Sequence, residues 1–270
     1  MFEPINRAHS ILEASFNLGF VSSLEKSRRE ELIRGIRDNQ ELQAFLPKVE
    51  ELKVRAIQFQ AEDVSPSYED DFGFELKRFK EDGNPEWILA VLPSGLSLRC
   101  LDYQRWKGFI GIVSILLKQI FQNSTQSSSH SVESISLRYI DAFIKKNKEG
   151  EDYQLSTLFR DNNYLNRKSF DSGHRWHSNS GWFEKISYDG RLFEYLNQLN
   201  VSSGTMNIRN LDNTTILIDH NMLLTNMCEW LNYETVLRFL DDMHDNNKKL
   251  LSSMFVAEVS KKLMLVDLNG

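Results

Sequence analysis

The chain has only two cysteines in 270 residues, Cys100 and Cys228. A disulfide framework is therefore excluded, and both thiols, set in or beside apolar runs, read as reduced and buried. Five prolines and 13 glycines are too few for a collagen-like or low-complexity chain. Positive charge is also short: 32 Lys and Arg face 38 Asp and Glu, giving a net charge of −6. No global basic field exists to gather nucleic acid. Long hydrophobic runs are absent as well. The longest, Phe109 to Phe121, is broken by Gly111, Ser114, Lys118 and Gln119, too short and too polar to span a bilayer. Residues Met1 to Ser10 mix charge with Pro4 and Asn6 and hold no apolar core of signal-peptide length. A cytoplasmic location without membrane attachment is the expectation. Motifs that announce a chemistry are missing too: no serine-nucleophile elbow, no paired histidines around a glutamate, no cysteine pairs, no glycine-rich phosphate loop.

What remains is ordinary globular material, 41% hydrophobic and 26% charged. Leu12, Ala14, Phe16, Leu18 and Phe20 alternate with Glu13, Ser15, Asn17 and Gly19, which predicts a half-buried strand. Ser22 or Ser23 then offers a cap for a charged helix striped by Leu24, Leu32, Ile33 and Ile36. A meander follows, with strands expected over Lys53–Gln60, Phe72–Lys80, Trp87–Leu92 and Leu96–Leu101. The acidic run Tyr68–Asp71 is read as a loop, and Glu81–Asn84 and Pro93–Gly95 as turns. Asp102 is read as the cap of an apolar helix starting at Tyr103. The polar stretch Asn123–Ser131 reads as a flexible connection.

The order of elements then begins again. A strand is predicted over Val132–Ile144, a short helix over Tyr153–Arg160, and a second four-strand meander over Trp182–Tyr188, Leu192–Leu199, Gly204–Arg209 and Thr215–His220. Asp189–Gly190 is one hairpin turn, and Asn232 caps a last long helix whose apolar stripe runs from Val236 to Leu263. The prediction is an α+β protein of two pseudo-repeated halves, residues 1–125 and 132–270, each running strand, helix, antiparallel meander, helix. The length fits either one large domain or two intimately packed halves. A sheet with one exposed apolar face needs an apolar helix to cover it. This element order is similar to the TATA-binding-protein and helix-grip folds, and fold alone does not dictate function.

Several residues stand out. Arg138 lies on the otherwise apolar strand Ile135–Ala142, so it must be paired or serve a ligand. Its candidate partners are Asp141, Glu13 and Asp219. The alternatives are an internal ion pair and, with Tyr139, a ligand-recognising guanidinium on a sheet face. His220 with Asp219, and His244 among Asp241, Asp242 and Asp245, are weak candidates for acid–base catalysis; the acidic group reads equally as a solvated helix face. His174 and His177, near Asp171, are weak metal candidates set in an expected loop. No metal or other cofactor is expected. Basic clusters at Lys145–Lys148, Lys261–Lys262 and along the first helix (Arg28, Arg29, Arg34, Arg37) are interleaved with Glu25, Glu30 and Glu31, the pattern of a solvated face.

Three segments together resemble a known family: WILAVLPSGLSLRCLDYQRWKGF (Trp87–Phe109), ISLRYIDA (Ile135–Ala142), and the carboxy-terminal ILID (Ile216–Asp219), FLDDMHDNN (Phe239–Asn247) and MFVAEVSKKL (Met254–Leu263). In this order they are similar to a sporadically distributed, functionally uncharacterised family of bacterial proteins of about this length, with an LRYIN-type strand, a Y..W..F helix start and a late LH......F helix. Asp141 stands where that family has Asn, and His174–Trp182 has no counterpart in it. The resemblance implies bacterial origin and mobile genes, as in phage-defence or toxin–antitoxin-like loci, and carries no catalytic residues. The leading expectation is a non-enzymatic protein that binds a protein partner, itself, or a small ligand through a curved sheet or the cleft between halves. The alternatives are a hydrolase or nuclease using the His and Asp groups, and a nucleic-acid-binding saddle, against which the acidity counts.

Overall fold

The computed structural model describes residues 2–6, 9–60, 63–123, 132–146, 154–188, 190–208, 211–225 and 232–265. The protein is α+β, and among these residues six α-helices accompany a ten-stranded antiparallel sheet. The chain divides into two compact units, each assembled from separated pieces of sequence.

One unit comprises residues 15–135 and 226–237. Its strands are β2 (Ile11–Phe20, from Ser15 onward), β3 (Lys48–Gln60), β4 (Asp63–Phe79), β5 (Pro85–Leu92) and β6 (Gly95–Cys100), in the order β3-β4-β5-β6-β2. Phe16, Leu18 and Phe20 of β2 are buried as the alternation predicts. Helices α1 (Lys26–Asp38), α2 (Gln40–Phe45) and α3 (Trp106–Asn123) supply the apolar cover. Leu32, Ile33 and Ile36 of α1 and Phe109, Val113, Leu116, Leu117 and Ile120 of α3 are buried. Trp87 of β5 stacks on Phe109 at 5.8 Å and meets Phe45 edge-on at 5.1 Å, aromatic geometries worth about 0.5–1.5 kcal/mol beyond burial. Cys100 is buried, and burial pushes its thiol up to about 12; Cys228 lies outside the described residues.

Several boundaries depart from expectation in this unit. The acidic run Tyr68–Asp71 is in β4, not in a loop: Tyr68 and Glu69 pair with Arg55 and Val54, and Asp70 and Asp71 fall at an irregularity before the ladder resumes at Gly73 opposite Leu52; backbone pairing overrides weak local strand preference. Helix α1 starts at Lys26 rather than after Ser22 or Ser23, and Glu25 precedes it without a side-chain cap. The preceding residues are held instead by the β5–β6 turn, through Phe20 N–H to Ser94 O (3.1 Å) and Leu24 N–H to Pro93 O (2.8 Å). Asp102 does not cap α3, which starts at Trp106; its carboxylate pairs with Lys80 Nζ at 2.9 Å.

The other unit comprises residues 1–14, 136–225 and 238–270. Strands β7 (Val132–Lys146, from Ser136 onward), β8 (Trp176–Tyr188), β9 (Arg191–Ile208) and β10 (Leu211–Thr225) lie in the order β7-β10-β9-β8, with β1 (Glu3–Pro4) paired to β7. Helices α4 (Arg167–Asp171), α5 (Tyr233–Met254, from Arg238 onward) and α6 (Ala257–Lys262) complete it. The predicted Asn232 cap is present: its Oδ1 accepts from Thr235 N–H at 2.8 Å. Phe255, buried between α5 and α6, stacks on Phe159 (5.5 Å) and meets Phe143 edge-on (5.0 Å), amid Leu199, Val201, Ile216 and Ile218.

Here the expected four-strand meander is three strands. Leu192–Leu199 and the stretch from Gly204 to Ile208 are one strand, because Gly204 keeps its place in the β9–β10 ladder opposite Thr215; Arg209 lies outside the described residues. The Tyr153–Arg160 helix is only a 3₁₀ turn at Leu155–Thr157, Tyr153 itself lying outside the described residues. Phe159 then bridges to Phe255, and Arg160 N–H donates to Met254 O at 2.9 Å. That bridge also ends α5, so the predicted stripe to Leu263 is split between two helices. The Asn123–Ser131 connection falls, beyond Asn123, outside the described residues.

Gly95 shows how closely β6 meets β2. Its φ is +154°, and an added Cβ would sit 2.1 Å from the carbonyl oxygen of Leu18. Gly95→Ala is therefore expected to cost about 2–3 kcal/mol of unfolding free energy, the upper end of ordinary single-residue effects. Urea denaturation checks it; an unchanged midpoint would show that the two strands can separate freely.

Candidate functional site

Arg138 of β7 makes a two-pronged ion pair with Asp219 of β10. Its Nε and Nη2 donate to Oδ1 and Oδ2, each at 2.7 Å. Asp219 raises the already high pKa of the guanidinium, and the Glu13 carboxylate adds attraction. The Arg138 side chain stays 41% exposed, because it projects from the sheet face that carries no helix. The register lays a polar row across that face: Asn200 of β9 lies opposite Asp219, and Asn179 of β8 opposite Asn200. In the next row Asn221 Nδ2 donates to Gln198 Oε1 at 3.0 Å. Beyond it Leu196 lies between Leu223 and Phe183, and Phe183 is 68% exposed.

Tyr139 points the other way, as strand alternation requires. It is buried, and its hydroxyl meets His244 Nδ1 of α5 at 2.9 Å. Burial, with Lys248 adding to it, pushes His244 down to about 4. A neutral ring follows, and which partner of the Nδ1–hydroxyl bond donates is set by the ring's tautomer. His220 is also on this covered face, 1% exposed. Its Nδ1 meets Asn247 of α5 at 2.8 Å and its Nε2 meets Asn197 of β9 at 3.0 Å. Burial lowers its pKa, so this ring too is neutral and has a single N–H. One asparagine must then offer its amide nitrogen.

A polar seam extends from His220 along the underside of α5. The Trp182 indole stacks over the His220 imidazole, with centroids 6.0 Å apart and planes 14° apart. Trp182 Nε1–H donates to Glu184 Oε1 at 3.0 Å. Glu184 Oε2 accepts from the Tyr195 hydroxyl, which accepts in turn from Asn246 Nδ2. Burial, then the Glu184 carboxylate, pushes the Tyr195 pKa up, keeping the phenol protonated.

The structure thus separates the residues that looked like one acid–base group. Asp219 and His220 are consecutive in β10 and lie on opposite faces. Both ring nitrogens of His220 are occupied, so it has neither lone pair nor proton to offer a substrate. Asp241, Asp242 and Asp245 are exposed on α5; partial burial and the two neighbouring carboxylates raise the Asp242 pKa. His174 is exposed in a turn after α4. His177, expected in a loop, lies on β8 and is exposed, since the β8–β9 ladder reaches back to Trp176. Among the described residues no three His, Cys, Asp or Glu side chains gather as a metal site. Lys145 is buried, while Asn147 and Lys148 lie outside the described residues.

Glu184, Tyr195, Asn197, Asn246 and Asn247 were missed from sequence, Trp182 was weighed there only as a base-stacking residue beside Trp176 and Tyr188, and a signal for four of the six existed. A two-residue turn at 189–190 pairs residues equidistant from it. Tyr188 lies opposite Arg191, Glu184 opposite Tyr195 and Trp182 opposite Asn197. Gly190 takes the positive φ (+72°) of that turn, Asp189 lying outside the described residues.

Asp141, offered as a partner of Arg138, is instead fully buried on the covered face. It accepts from Ser10 Oγ at 2.6 Å, and its Oδ2 has no partner among the described residues. Burial pushes it up to about 6. Its stabilising protonated form is fully present below the ordinary carboxyl range, and that contribution is lost as pH rises through about 6. The histidines run the opposite way. Their folded values are depressed, so their contribution is full above the ordinary imidazole value and lost as pH falls toward about 4 for His244. Asp141→Asn should therefore raise the melting temperature near pH 7.5 and leave it little changed near pH 3. His244→Gln should flatten the acid limb of the profile. Thermal melts across pH check both.

No family model matches the chain, and no curated protein matches it either.

Proposed function

We propose that the chain is a non-enzymatic binding protein that recognises a protein partner through the open face of β7, β10, β9 and β8. The observation that carries this reading is the Arg138–Asp219 pair, held rigidly in the middle of an uncovered face. Asn179, Asn200, Gln198 and Asn221 surround it with hydrogen-bonding groups. Phe183 at 68% and Leu192 at 62% exposure add apolar anchors on the same strands. Protein interfaces combine an aromatic or apolar anchor, arginine and a polar rim in this way. Asp219 fixes the guanidinium, so less side-chain freedom is lost on binding. The full occupation of His220 and the separation of Asp219 from it support a binding reading over a hydrolytic one.

Its setting belongs to the same proposal: a cytoplasmic protein of a mobile bacterial locus, as the family resemblance implies. A repetition of element order between the halves and a likeness to saddle-shaped folds are part of the proposal too.

The product of a neighbouring gene is the partner to test, with light scattering on the isolated chain to detect self-association. Arg138→Met and Phe183→Lys are expected to weaken the complex tenfold or more. The melting temperature should barely move, since a half-exposed ion pair is worth only about 0–1 kcal/mol. Undiminished binding by both variants would remove this face as the interface.

A further inference from the structure

A pocket of about 440 Å³ opens in the unit of residues 15–135 and 226–237, where α1 and α2 meet β4. Its volume falls at the lower end of the roughly 300–1,000 Å³ typical of small-molecule sites. Buried Ile33 and half-buried Phe74 give it an apolar floor, and Arg34 and Arg37 stand at its wall.

The state of those arginines is what marks the pocket. Arg28 pairs with Glu31, and buried Arg29 donates to the carbonyl of Leu24. Arg34 and Arg37, one turn further on, have no hydrogen-bond or ion-pair partner among the described residues. Glu30 and Asp38 lie four residues before and after Arg34, the spacing that commonly pairs charges along a helix. Neither pairs with it. Two guanidinium groups thus face the pocket with their donors unused, beside an aromatic ring.

We propose that this pocket binds a monocarboxylate with an apolar or aromatic body. Arg34 and Arg37 receive the carboxylate, a group whose two oxygens match the donor fork of a guanidinium. Ile33 and Phe74 take the body, and Gln43 of α2 offers an amide at the rim. The two acidic side chains decide the charge of the ligand. With Glu30 and Asp38 also lining the pocket, its formal charge is zero, which counts against a phosphate dianion or a nucleic-acid backbone. Two sources share this chemistry: a free aromatic acid and the carboxyl-terminal residue of a peptide.

Calorimetry with 3-phenylpropionate, with a short peptide ending in Phe, with its carboxyl-terminal amide and with inorganic phosphate tests the assignment. At least one of the two carboxylates should bind saturably, and the amide and phosphate at least tenfold more weakly. Binding of the peptide acid alone identifies a peptide terminus as the source; binding of both carboxylates identifies the shared group. The double variant Arg34→Met, Arg37→Met, altered at exposed positions, should lose the interaction at least tenfold. Should that variant not fold, amide shifts of α1 and the Gln43 side chain in the unaltered chain locate the bound acid. No saturable binding by either carboxylate at millimolar concentration, equal binding of amide or phosphate, unchanged affinity in the folded double variant, or shifts confined elsewhere would each overturn the proposal.

Discussion

Asp219 and His220 are adjacent residues of one extended strand, and the pleat sends them to opposite faces. Much of the chemistry of this unit follows from that. Outside, the carboxylate holds Arg138 in partial contact with water, where the charges keep most of their hydration. Inside, the imidazole is cut off from water and must stay neutral, so each ring nitrogen needs a partner of the right kind. Asn247 of α5 and Asn197 of β9 supply them. Exchanging the two residues would bury a carboxylate between amides and leave a guanidinium without its counter-charge.

The covered face is accordingly not a plain apolar layer. His244 with Tyr139, His220 with Asn247, and Asn246 with Tyr195 fasten α5 at three points, and the two ends of this run lie one turn apart. Apolar burial is tolerant of small sliding movements, whereas hydrogen bonds have narrow distance and angle preferences. The leucines and methionines of α5 hold it to the sheet. The polar contacts fix where along the sheet it rests. Asp141 sits beneath the same layer with a single bond from Ser10, so its position on β7 carries an electrostatic cost that Asn would not.

Alternation and helical spacing made the fold class legible, as Phe16, Leu18 and Phe20 on β2 and the stripe of α3 illustrate. What stayed hidden depends on pairing between segments distant in sequence. The β3–β4 ladder pairs Tyr68 and Glu69 where a loop was expected, and the Phe159–Phe255 bridge cuts the last helix short. Arg138 was recognisable as a residue that needs a partner, and Asp219 was among three candidates. Choosing it required knowing that β10 lies beside β7. The seam from Trp182 to Asn246 was harder still, since Trp, Glu, Tyr and Asn on strands and a helix have no motif until register and helix docking bring them together.

Both units are discontinuous in sequence, and this bears on how the chain acquires its structure during synthesis. β1 and Ser10 emerge well before their partners on β7, which lie more than 130 residues later. The cover of that sheet comes later still, with α5. Until then the early strands carry apolar faces and open edges with nothing to pair them. A topology so rich in long-range contacts folds slowly and leaves intermediates open to association. A nascent chain of this kind is a natural client for chaperones, and its yield should depend on translation speed more than its final stability does.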